Sequence, residues 1–445
     1  MHLNRLIAVF LASTVALIAL WLLSLPPGAS AADFWQIRRM MIYLTGILAI
    51  GYMSFALILA ARPVQIEPAL GGLDRFYRLH KWYGIGAALF ALTHWLLENA
   101  PRQMARRGWL ERPRRSSAAM TEGSSWTDAL RELREPATEL GEWGFYLLLI
   151  LVAIALWKTF PYRYFFKAHR LMAPTYLMLV FHSVVLMDRS YWSEPLGFSM
   201  AVLMLAGSAA AVASLFGRIG KSRRAYGTVQ SLNYNNENTV LDVEVQLATA
   251  WQGHHAGQFT FVDFGGGEGH HPFTISSAWH GDGRMMFSIK GLGDYTKKLP
   301  EQLFPGHPVT IEGPYGRFDF HGARPRQIWI AGGIGITPFM ARLQDLADTG
   351  NTCQIDLIYS TNAPSQEFIE NIEQLARRTS VRFHLVLSSR EGKLSLDRLE
   401  KMVPDWMAAD IWFCGPEPFA QALSGEMETR GFPLRRFHHE LFGFR

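Results

Sequence analysis

The chain is poor in cysteine, with Cys353 and Cys414 as its two cysteines in 445 residues. Because there are only two, both in the second half of the chain, a disulfide framework and a thiolate metal site are excluded. The chain also lacks a large excess of charge of either sign, since 43 Lys and Arg face 38 Asp and Glu for a net charge of +5. Much of the positive charge lies beside apolar segments, so it indicates no nucleic-acid partner.

Long apolar runs are missing from the second half of the chain, and none comparable occurs after Arg223. The first half has six runs that are long enough, or nearly so, to cross a hydrocarbon layer of about 30 Å. They are Leu6–Leu25, Ile37–Ala61, Phe76–Leu97, Leu140–Trp157, Phe165–Met187 and Leu196–Phe216. The asymmetry predicts a membrane-spanning first half and a soluble second half.

Two of these runs carry two histidines each, His80 with His94 and His169 with His182. At about 1.5 Å per residue, each pair is spread over roughly 20 Å of helix. A lone histidine in an apolar helix is more often a packing residue. Two matched pairs at membrane depth are different, because ionisable groups are costly there and neutral imidazole is a common haem ligand. The four histidines therefore predict two stacked bis-histidine haem sites.

The spacing also predicts how the imidazoles point. At about 100° per residue, His80 and His94 fall within about 40° of each other, whereas His169 and His182 are about 140° apart on a straight helix. Pro174 lies between the second pair, and a proline removes one helical hydrogen bond and permits a kink or a π-type bulge. We therefore predict that a kink or a π-type bulge at Pro174 turns His182 into line with His169.

Basic residues flank three connections between the apolar runs. They are Arg62, Arg75, Arg78 and Lys81, then Lys158, Arg163, Lys167 and Arg170, and finally Arg218, Lys221, Arg223 and Arg224. By the positive-inside rule these connections are cytoplasmic, which predicts a multi-pass inner-membrane protein with its second half in the cytoplasm. The connection 99–139 then lies outside despite its eight arginines, either as a solvated face or as a docking surface for an acceptor protein.

The first apolar run has two interpretations. Arg5 precedes it, and Ala29-Ser30-Ala31 resembles a signal-peptide cleavage site. The run is longer than the apolar core of a usual signal peptide, which favours a retained membrane span.

Short alternating segments follow Arg223. They are Tyr226–Leu232, Thr239–Leu247, Gln258–Phe264, Met285–Ile289 and Val309–Ile311. They predict a small antiparallel β-barrel. From Gln327 to Cys414 strand and helix patterns alternate, which predicts an α/β domain with a doubly wound parallel sheet.

Two motifs in this half point to nucleotides. The loop Gly332-Gly333-Ile334-Gly335-Ile336-Thr337-Pro338 follows a predicted strand and opens a helix, so its glycines and the helix N-terminus suit a phosphate. The segment His271-Pro272-Phe273-Thr274-Ile275-Ser276-Ser277 has the alternation of an ordinary strand. Its residues alone leave a flavin site and a strand end both open.

Together these motifs resemble those of the NADPH oxidase and ferric reductase family of flavocytochromes b. The resemblance covers nearly the whole chain and rests on the histidine spacing and on segments 271–277, 291–296, 313–316, 332–339 and 414–419. It implies a six-helix transmembrane haem domain at 1–221, an FAD-binding β-barrel at 222–322 and an NAD(P)H-binding α/β domain at 323–445. Hydride from NADH or NADPH would reach FAD, and single electrons would then pass through two b-type haems.

The resemblance also implies individual roles. His80 would pair with His169 near the cytoplasm, and His94 with His182 near the outer surface. The predicted catalytic residues are Thr274 at the isoalloxazine, Cys414 beside the nicotinamide, and Phe444 in the tail.

The predicted cofactor site includes the C-terminal tail. Phe442 or Phe444 covers the flavin face until nicotinamide displaces it, or else the tail packs as an ordinary terminus. His271 would lie near the pyrophosphate. The predicted cofactor-binding residues are His271, Pro272, Phe273, Thr274, Ser276, Ser277, Gly291, Thr296, Gly313, Tyr315, Gly332, Gly333, Gly335, Thr337, Pro338, Cys414, Gly415, Pro416, Phe442 and Phe444.

Departures from the family pattern concern the acceptor and the donor. Many oxygen-reducing members have a further histidine where this chain has Glu98, and a basic residue within the second helix, where this chain has Arg38 and Arg39 only at the outer entrance. This leaves O2, a ferric chelate and a periplasmic redox protein open as acceptors. Residues 360–362 supply neither an acid for a free ribose nor an arginine for a 2′-phosphate, a charge that Arg390 could supply.

Two other functions fit parts of the sequence. One is a NAD(P)H flavin reductase that its helices merely anchor to the membrane. The other is a haem-binding sensor or carrier with an inactive flavin module, against which the intact glycine loop argues. The sequence does not indicate an oligomeric state.

Overall fold

The computed structural model describes residues 2–25, 33–63, 66, 70–111, 132–157, 159–267, 269–363 and 365–439. The chain divides into two compact units. Most of residues 3–219 form the first unit, which is helical, and the second begins at residue 220 and contains two β-sheets. The boundary follows the change in composition after the last apolar run.

The helices of the first half pack as a bundle. In chain order they are α1 (His2–Leu23), α2 (Phe34–Ala60), α3 (Leu73–Arg106), α4 (Arg134–Leu156), α5 (Tyr162–His169), α6 (Met172–Leu186), α7 (Arg189–Trp192) and α8 (Pro195–Leu215). α1 is tied to α2 by a hydrogen bond between Thr14 and Tyr52 (2.5 Å) and to α3 by one between Ser13 and Tyr83 (2.7 Å). These bonds place the first apolar run within the packing of the bundle.

Four helices of the described ranges are long and apolar enough to cross a membrane, namely Arg5–Leu23 of α1 together with α2, α4 and α8. The prediction of a helical, membrane-type first half is confirmed. The prediction of six spans is not, because α3 is absent from this set and the fifth run is divided into α5 and α6. These have 8 and 15 residues, fewer than the about 20 that a span needs.

The division between α5 and α6 lies at Arg170 and Leu171, just before Pro174. Proline has no N–H, so it cannot donate to the carbonyl of Arg170 four residues earlier. The backbone forms tighter bonds instead, from Leu171 N to Ala168 O (2.9 Å) and from Ala173 N to Arg170 O (3.4 Å). The chain therefore changes direction near Pro174 through a break with tight turns, not through a π-type bulge, and Pro174 itself lies in the first turn of α6.

The first sheet is antiparallel. Its elements are β1 (Arg224–Asn235), β2 (Val240–Leu247), β3 (Phe259–Asp263), β4 (His271–Thr274), β5 (Arg284–Lys290), helix α9 (Asp294–Gln302) and β6 (Pro308–Tyr315), and its strand order is β4-β3-β6-β1-β2-β5. The antiparallel prediction is confirmed. A hydrogen bond from Ser276 N to Met286 O (2.9 Å) joins the chain after β4 to β5, although strand pairing does not establish a closed barrel.

The second sheet is parallel and flanked by helices. Its elements are β7 (Arg326–Gly332), α10 (Thr337–Thr349), β8 (Gln354–Thr361), α11 (Gln366–Arg378), β9 (Arg382–Leu387), α12 (Ser388–Glu391), α13 (Leu396–Met402), β10 (Asp410–Cys414), α14 (Glu417–Thr429) and β11 (Phe437–His439). The strand order β11-β10-β7-β8-β9 reverses direction between β7 and β10. In such sheets ligands bind outside the carboxyl ends of the strands at this reversal.

Charged residues hold the amino ends of β7, β8 and β9. The buried carboxylate of Asp356 accepts hydrogen bonds from Arg326 (2.8 Å), Arg382 (2.8 Å) and His384 (2.9 Å). Burial alone would raise the pKa of Asp356, but these contacts outweigh it and hold the pKa below its ordinary value. This edge stabilises the sheet and leaves the carboxyl edge for a ligand.

Candidate functional site

The four membrane histidines lie side by side as two pairs. The ring centroids of His80 and His169 are 5.9 Å apart, with an interplanar angle of 71°. Those of His94 and His182 are 6.3 Å apart, at 82°. We call these the inner and the outer pair, after their predicted positions. Because the chain is interrupted before Pro174, both His169 and His182 reach α3.

Backbone carbonyls of neighbouring helices orient three of the four imidazoles. In each case Nδ1 lies at hydrogen-bond distance from a carbonyl oxygen. The bonds are His80 to Ala56 (2.8 Å), His94 to Ile42 (2.9 Å) and His182 to Ala137 (2.8 Å). A carbonyl only accepts, so the neutral ring carries its proton on Nδ1 and keeps the Nε2 lone pair for a metal.

His169 is oriented differently. It is the last residue of the short helix α5, and its ring stacks on Phe165 with the centroids 5.2 Å apart. Its Nδ1 atom is buried and has no hydrogen-bond partner among the described residues. Ring packing, rather than an acceptor, therefore orients this imidazole.

The two pairs fit a haem with two axial histidines. No three His, Cys, Asp or Glu side chains in the described ranges form a group that could hold a metal ion. Imidazoles that share one metal through Nε2 bonds of about 2.0–2.1 Å have centroids roughly 6 Å apart, close to both observed separations. Haem iron receives its other ligands from the porphyrin, so two histidines at each site are enough to hold it.

Arg38 braces the outer end of α3. Pro101 lies inside this helix and has no N–H, so the carbonyl of Leu97 lacks its helical partner. Arg38 Nε donates to that carbonyl (2.7 Å), and Nη2 donates to the carbonyl (3.0 Å) and the carboxylate (2.7 Å) of Glu98. Glu98 also pairs with Arg102. The guanidinium of Arg38 is thus committed to α3.

The predicted flavin segment forms the edge strand β4. In the register Thr274 lies opposite Phe259 of β3, and Phe259 lies opposite Tyr315 of β6. The sheet therefore brings the segments 271–274 and 313–315, which are about forty residues apart in the sequence, onto the two strands that flank β3. Gly313 has a φ of +153°, and a Cβ there would lie 3.1 Å from the methyl of Thr260.

Two polar groups of the segment 271–277 suit a flavin nucleotide in different ways. His271 stacks on Tyr295, with the centroids 3.9 Å apart, and burial lowers the pKa of His271 to about 4. It is therefore neutral at pH 7 and can contact a pyrophosphate as a hydrogen-bond donor, without a fixed charge. The buried hydroxyl of Ser276 has no partner among the described residues, as expected of a group that a cofactor would satisfy.

Two of the predicted cofactor-binding side chains have local roles. The hydroxyl of Thr296 accepts from the amides of Leu292 (3.0 Å) and Gly293 (3.1 Å) and so caps α9, which opens just after Gly291. The hydroxyl of Ser277 accepts from Met286 N (3.1 Å). The hydrogen bonds of these two hydroxyls shape the turns beside the flavin segment.

The sequence analysis missed Glu312 and assigned Arg223 to membrane topology alone. Glu312 is fully buried and accepts from the Tyr315 hydroxyl (3.0 Å) and from Arg224 (3.3 Å). Arg223 donates to the carbonyl of Pro314 (3.3 Å) and lies 5.1 Å from the centroid of the Tyr315 ring. A carboxylate in an apolar strand was the available signal, because it requires a buried partner.

The glycine loop and the segment 414–416 meet at the reversal of the parallel sheet. Ala331 of β7 lies opposite Cys414 of β10. A Cβ at Gly335 would lie 2.2 Å from the carbonyl oxygen of Cys414, and one at Gly332 would lie 3.0 Å from Pro416. Glycine is therefore required for the two backbones to approach, and the site predicted from two distant motifs is a single crevice.

The loop continues directly into α10. Gly333 adopts a positive φ of 56°, and the Thr337 hydroxyl donates to Ile334 O (3.2 Å) within the turn. Pro338 is the second residue of α10, after Thr337. The N-terminus of α10 thus opens at the crevice, where its amide groups favour a phosphate.

Of the remaining predicted nucleotide contacts, only Arg390 lies within the described residues. Thr361, at the end of β8, lies opposite Leu387 of β9, and Arg390 follows in α12. This register places Arg390 beside the strand end that carries residues 360–362. Phe442 and Phe444 lie outside the described residues.

Comparison with known protein families divides the chain into three segments. Residues 45–180 match the family described as ferric reductase like transmembrane component. Residues 226–319 match an FAD-binding domain, and residues 329–425 match an oxidoreductase NAD-binding domain.

Curated relatives match part of the chain. The glycine betaine monooxygenase reductase subunit of Chromohalobacter salexigens is 27% identical over 186 residues, which are 38% of this chain and 50% of that protein. NADH-cytochrome b5 reductase 2 of Mycosarcoma maydis is 30% identical over 177 residues, 36% of this chain and 50% of that protein. The chain spans about half the length of these relatives.

Two solved structures are also similar to this chain. The Amycolatopsis cytochrome P450 reductase GcoB is 20% identical with a TM-score of 0.43, over 49% of this chain and 70% of that chain. The flavohemoglobin of Malassezia yamatoensis is 15% identical with a TM-score of 0.49, over 94% of this chain and all of that chain (100%).

Proposed function

We propose that the chain is a membrane oxidoreductase with the NADPH oxidase and ferric reductase architecture, and that it carries electrons from cytoplasmic NAD(P)H through FAD and two b-type haems to an acceptor outside the membrane. The proposed domains are a six-helix haem domain at 1–221, an FAD-binding β-barrel at 222–322 and an NAD(P)H-binding domain at 323–445. The proposed location is the inner membrane, with the last two domains in the cytoplasm.

The observation that carries this proposal is the geometry of the histidine pairs. Two imidazole pairs with centroids 5.9 and 6.3 Å apart, three of the four rings protonated on Nδ1, present Nε2 lone pairs to a shared metal. Four histidines that served only packing would have no reason to meet as two pairs.

The cofactors supply the redox chemistry, since bound FAD exchanges two electrons with NAD(P)H and one at a time with haem iron. The protein positions them. In the proposal Thr274 and Ser276 contact the flavin nucleotide, and neutral His271 donates to its pyrophosphate. The crevice of Gly332–Gly335 and Cys414–Pro416 holds the NAD(P)H, with Cys414 beside the nicotinamide.

The outer end favours an acceptor that does not need a free basic group within the bundle. Arg38 is committed to the carbonyls of α3 and to Glu98, and Glu98 occupies the place where a histidine would favour oxygen chemistry. We therefore place a ferric chelate or a periplasmic redox protein ahead of O2 as the acceptor.

Anaerobic reduction tests the pathway. Detergent-purified protein reconstituted with FAD should show a six-coordinate b-type haem spectrum that NADH or NADPH reduces, and air or ferric citrate should then reoxidise it at rates that rank the acceptors. A membrane-anchored flavin reductase would lack haem absorbance. A haem sensor or carrier would contain haem that neither nucleotide reduces. Either outcome contradicts the proposal.

A further inference from the structure

Two glycines lie against the backs of the outer imidazoles. A Cβ built on Gly141 of α4 would lie 2.0 Å from His182 Nδ1 and 2.4 Å from its Cε1. A Cβ on Gly46 of α2 would lie 3.2 Å from His94 Nδ1 and 3.3 Å from its Cε1. The first distance is far inside van der Waals contact, and the second is tight.

The same glycines adjoin the carbonyls that orient these rings. His182 Nδ1 donates to Ala137 O, four residues before Gly141. His94 Nδ1 donates to Ile42 O, four residues before Gly46. Residues four apart lie one above the other on a helix, so a side chain at either glycine would stand where the ring approaches its acceptor. Because glycine has no side chain, the carbonyl oxygen one turn earlier stays accessible to the imidazole.

The inner pair is built without such a glycine. His80 donates to Ala56 O, and the residue four later is Ala60, whose methyl group coexists with a bond of 2.8 Å. A methyl group one turn after the acceptor is therefore tolerated where the ring approaches from another side. The glycine requirement belongs to the outer pair.

A packing role alone does not explain both glycines. Glycine is unfavourable in a helix interior, so a position inside a helix needs a neighbour that demands it. Gly144, also in α4, meets the flexible side chain of Leu179, with a built Cβ 2.9 Å from its Cδ2. Gly141 and Gly46 instead meet imidazole rings whose place their hydrogen bonds fix.

We propose that Gly141 and Gly46 are positioning residues of the outer haem site. By lacking side chains they seat His182 and His94 against Ala137 O and Ile42 O, which sets the Nδ1–H tautomer and aims Nε2 at the metal. This inference rests on the proposed haem function. Of the two positions, Gly141 should tolerate a side chain less than Gly46, because its Cβ would lie closer to the imidazole.

Haem content and spectroscopy test this without reference to activity. Purified wild type, Gly141→Ala, Gly46→Ala and Gly144→Ala would be compared by pyridine haemochrome content per chain and by electron paramagnetic resonance of the ferric haems. Gly144→Ala is the matched control, because Leu179 and His182 are three residues apart on the same helix α6. Wild type should contain two haems per chain.

We expect Gly141→Ala to fall to one haem per chain, with the signal of the inner haem unchanged. Gly46→Ala should keep two haems with the signal of one altered, and Gly144→Ala should match wild type. Losing a partner that orients a ligand weakens metal affinity about 10–100-fold, which is the scale of the expected loss in Gly141→Ala.

The outcomes separate the inference from its premise. Wild type with two haems and Gly141→Ala with the same two signals would overturn the role of the glycines while leaving the haem proposal intact. An equal loss in Gly144→Ala would overturn it as well. Should Gly141→Ala fail to accumulate, an unchanged spectrum in Gly46→Ala would overturn it, and an altered one would support it. Wild type without haem would defeat the proposed function itself.

Discussion

The inner and outer histidine pairs have nearly the same ring geometry but are held in different ways. Both outer imidazoles donate to a carbonyl of a neighbouring helix, His94 to α2 and His182 to α4. In the inner pair only His80 donates to such a carbonyl among the described residues. The imidazole of His169, the last residue of an eight-residue helix, stacks on Phe165 instead. The spacing of the rings therefore does not reveal how firmly each ligand is oriented.

This difference has a physical consequence. A hydrogen-bond acceptor at Nδ1 fixes the tautomer and makes Nε2 a better donor to a metal. The outer site has this support from two helices and the inner site from one. Where the electrons are proposed to leave, the ligands are fixed more strongly than where they enter.

Removing a single ligand is the strongest way to test the comparison. His182→Leu or His94→Leu should reduce the haem content from two per chain to one, because each outer imidazole is half of one axial pair. NAD(P)H should still reduce the remaining inner haem. Haem analysis and difference spectra give both results, with His80→Leu as the matched inner variant. Survival of both haems in either outer variant would refute the pairing.

The difference in support should also appear in haem retention. Each single-ligand variant isolates one site, so His94→Leu reports the inner haem and His80→Leu the outer. Haem transfer to excess apomyoglobin should be about 10-fold faster or more from the inner site, because His169 Nδ1 has no acceptor among the residues that the structure describes. Absorbance at the Soret band follows the transfer. Equal rates would show that the stack on Phe165 replaces the missing bond.

Arg38 should matter to the outer end alone. Arg38→Leu removes the donors to the Leu97 and Glu98 carbonyls and should lower the free energy of unfolding by about 1.5–3 kcal/mol. Arg39 is the exposed neighbour and serves as the control, since Arg39→Leu should change the free energy of unfolding by less than about 0.5 kcal/mol. Thermal unfolding in detergent measures both. A redox potential shift of the inner haem in Arg38→Leu would contradict the local role.

Lowering the pH should destabilise the part of the chain that carries the predicted flavin segment. Burial lowers the pKa of His271 to about 4, and it does the same for His254, a buried residue whose Nε2 lies 3.1 Å from Ser277 O. Both are neutral when folded and take up protons more readily when unfolded, near pH 6.5. Their contribution to stability is therefore complete above pH 6.5 and is lost as the pH falls toward 4.

The melting temperature of the FAD-loaded protein, followed by flavin fluorescence, should fall over that window. His271→Gln should make the fall shallower. A melting temperature that stays constant from pH 7 to pH 5 would contradict the assignment.

Much of the site could be predicted because its residues are chemically conspicuous. Histidines in apolar runs, glycines between a strand and a helix, and a proline between two ligands each indicate a local constraint. The position of Pro174 indicated where the helix changes direction, and the chain breaks between α5 and α6 just before it. The same break is one reason why the helix count is not confirmed, because it divides an apolar run of sufficient length into two helices that are each too short for a span.

The acceptors of the imidazoles could not be predicted. Ala56, Ile42 and Ala137 act through backbone oxygens, and every residue has one. Glu312 and Arg223 were missed because their partners are far away in the sequence. Such contacts depend on how helices and strands are placed against each other, which leaves no mark on residue type.

The sequence by itself determined the order of the three segments, the four histidines and the glycine-rich crevice, since apolar length, ligand chemistry and turn geometry are local properties. Only the tertiary structure decided which carbonyl faces each imidazole, that Arg38 serves the carbonyl freed by Pro101, and that Gly141 adjoins His182. The physical reason is that orientation at Nδ1 is set by backbone atoms from other helices, and packing alone brings those atoms within 3 Å.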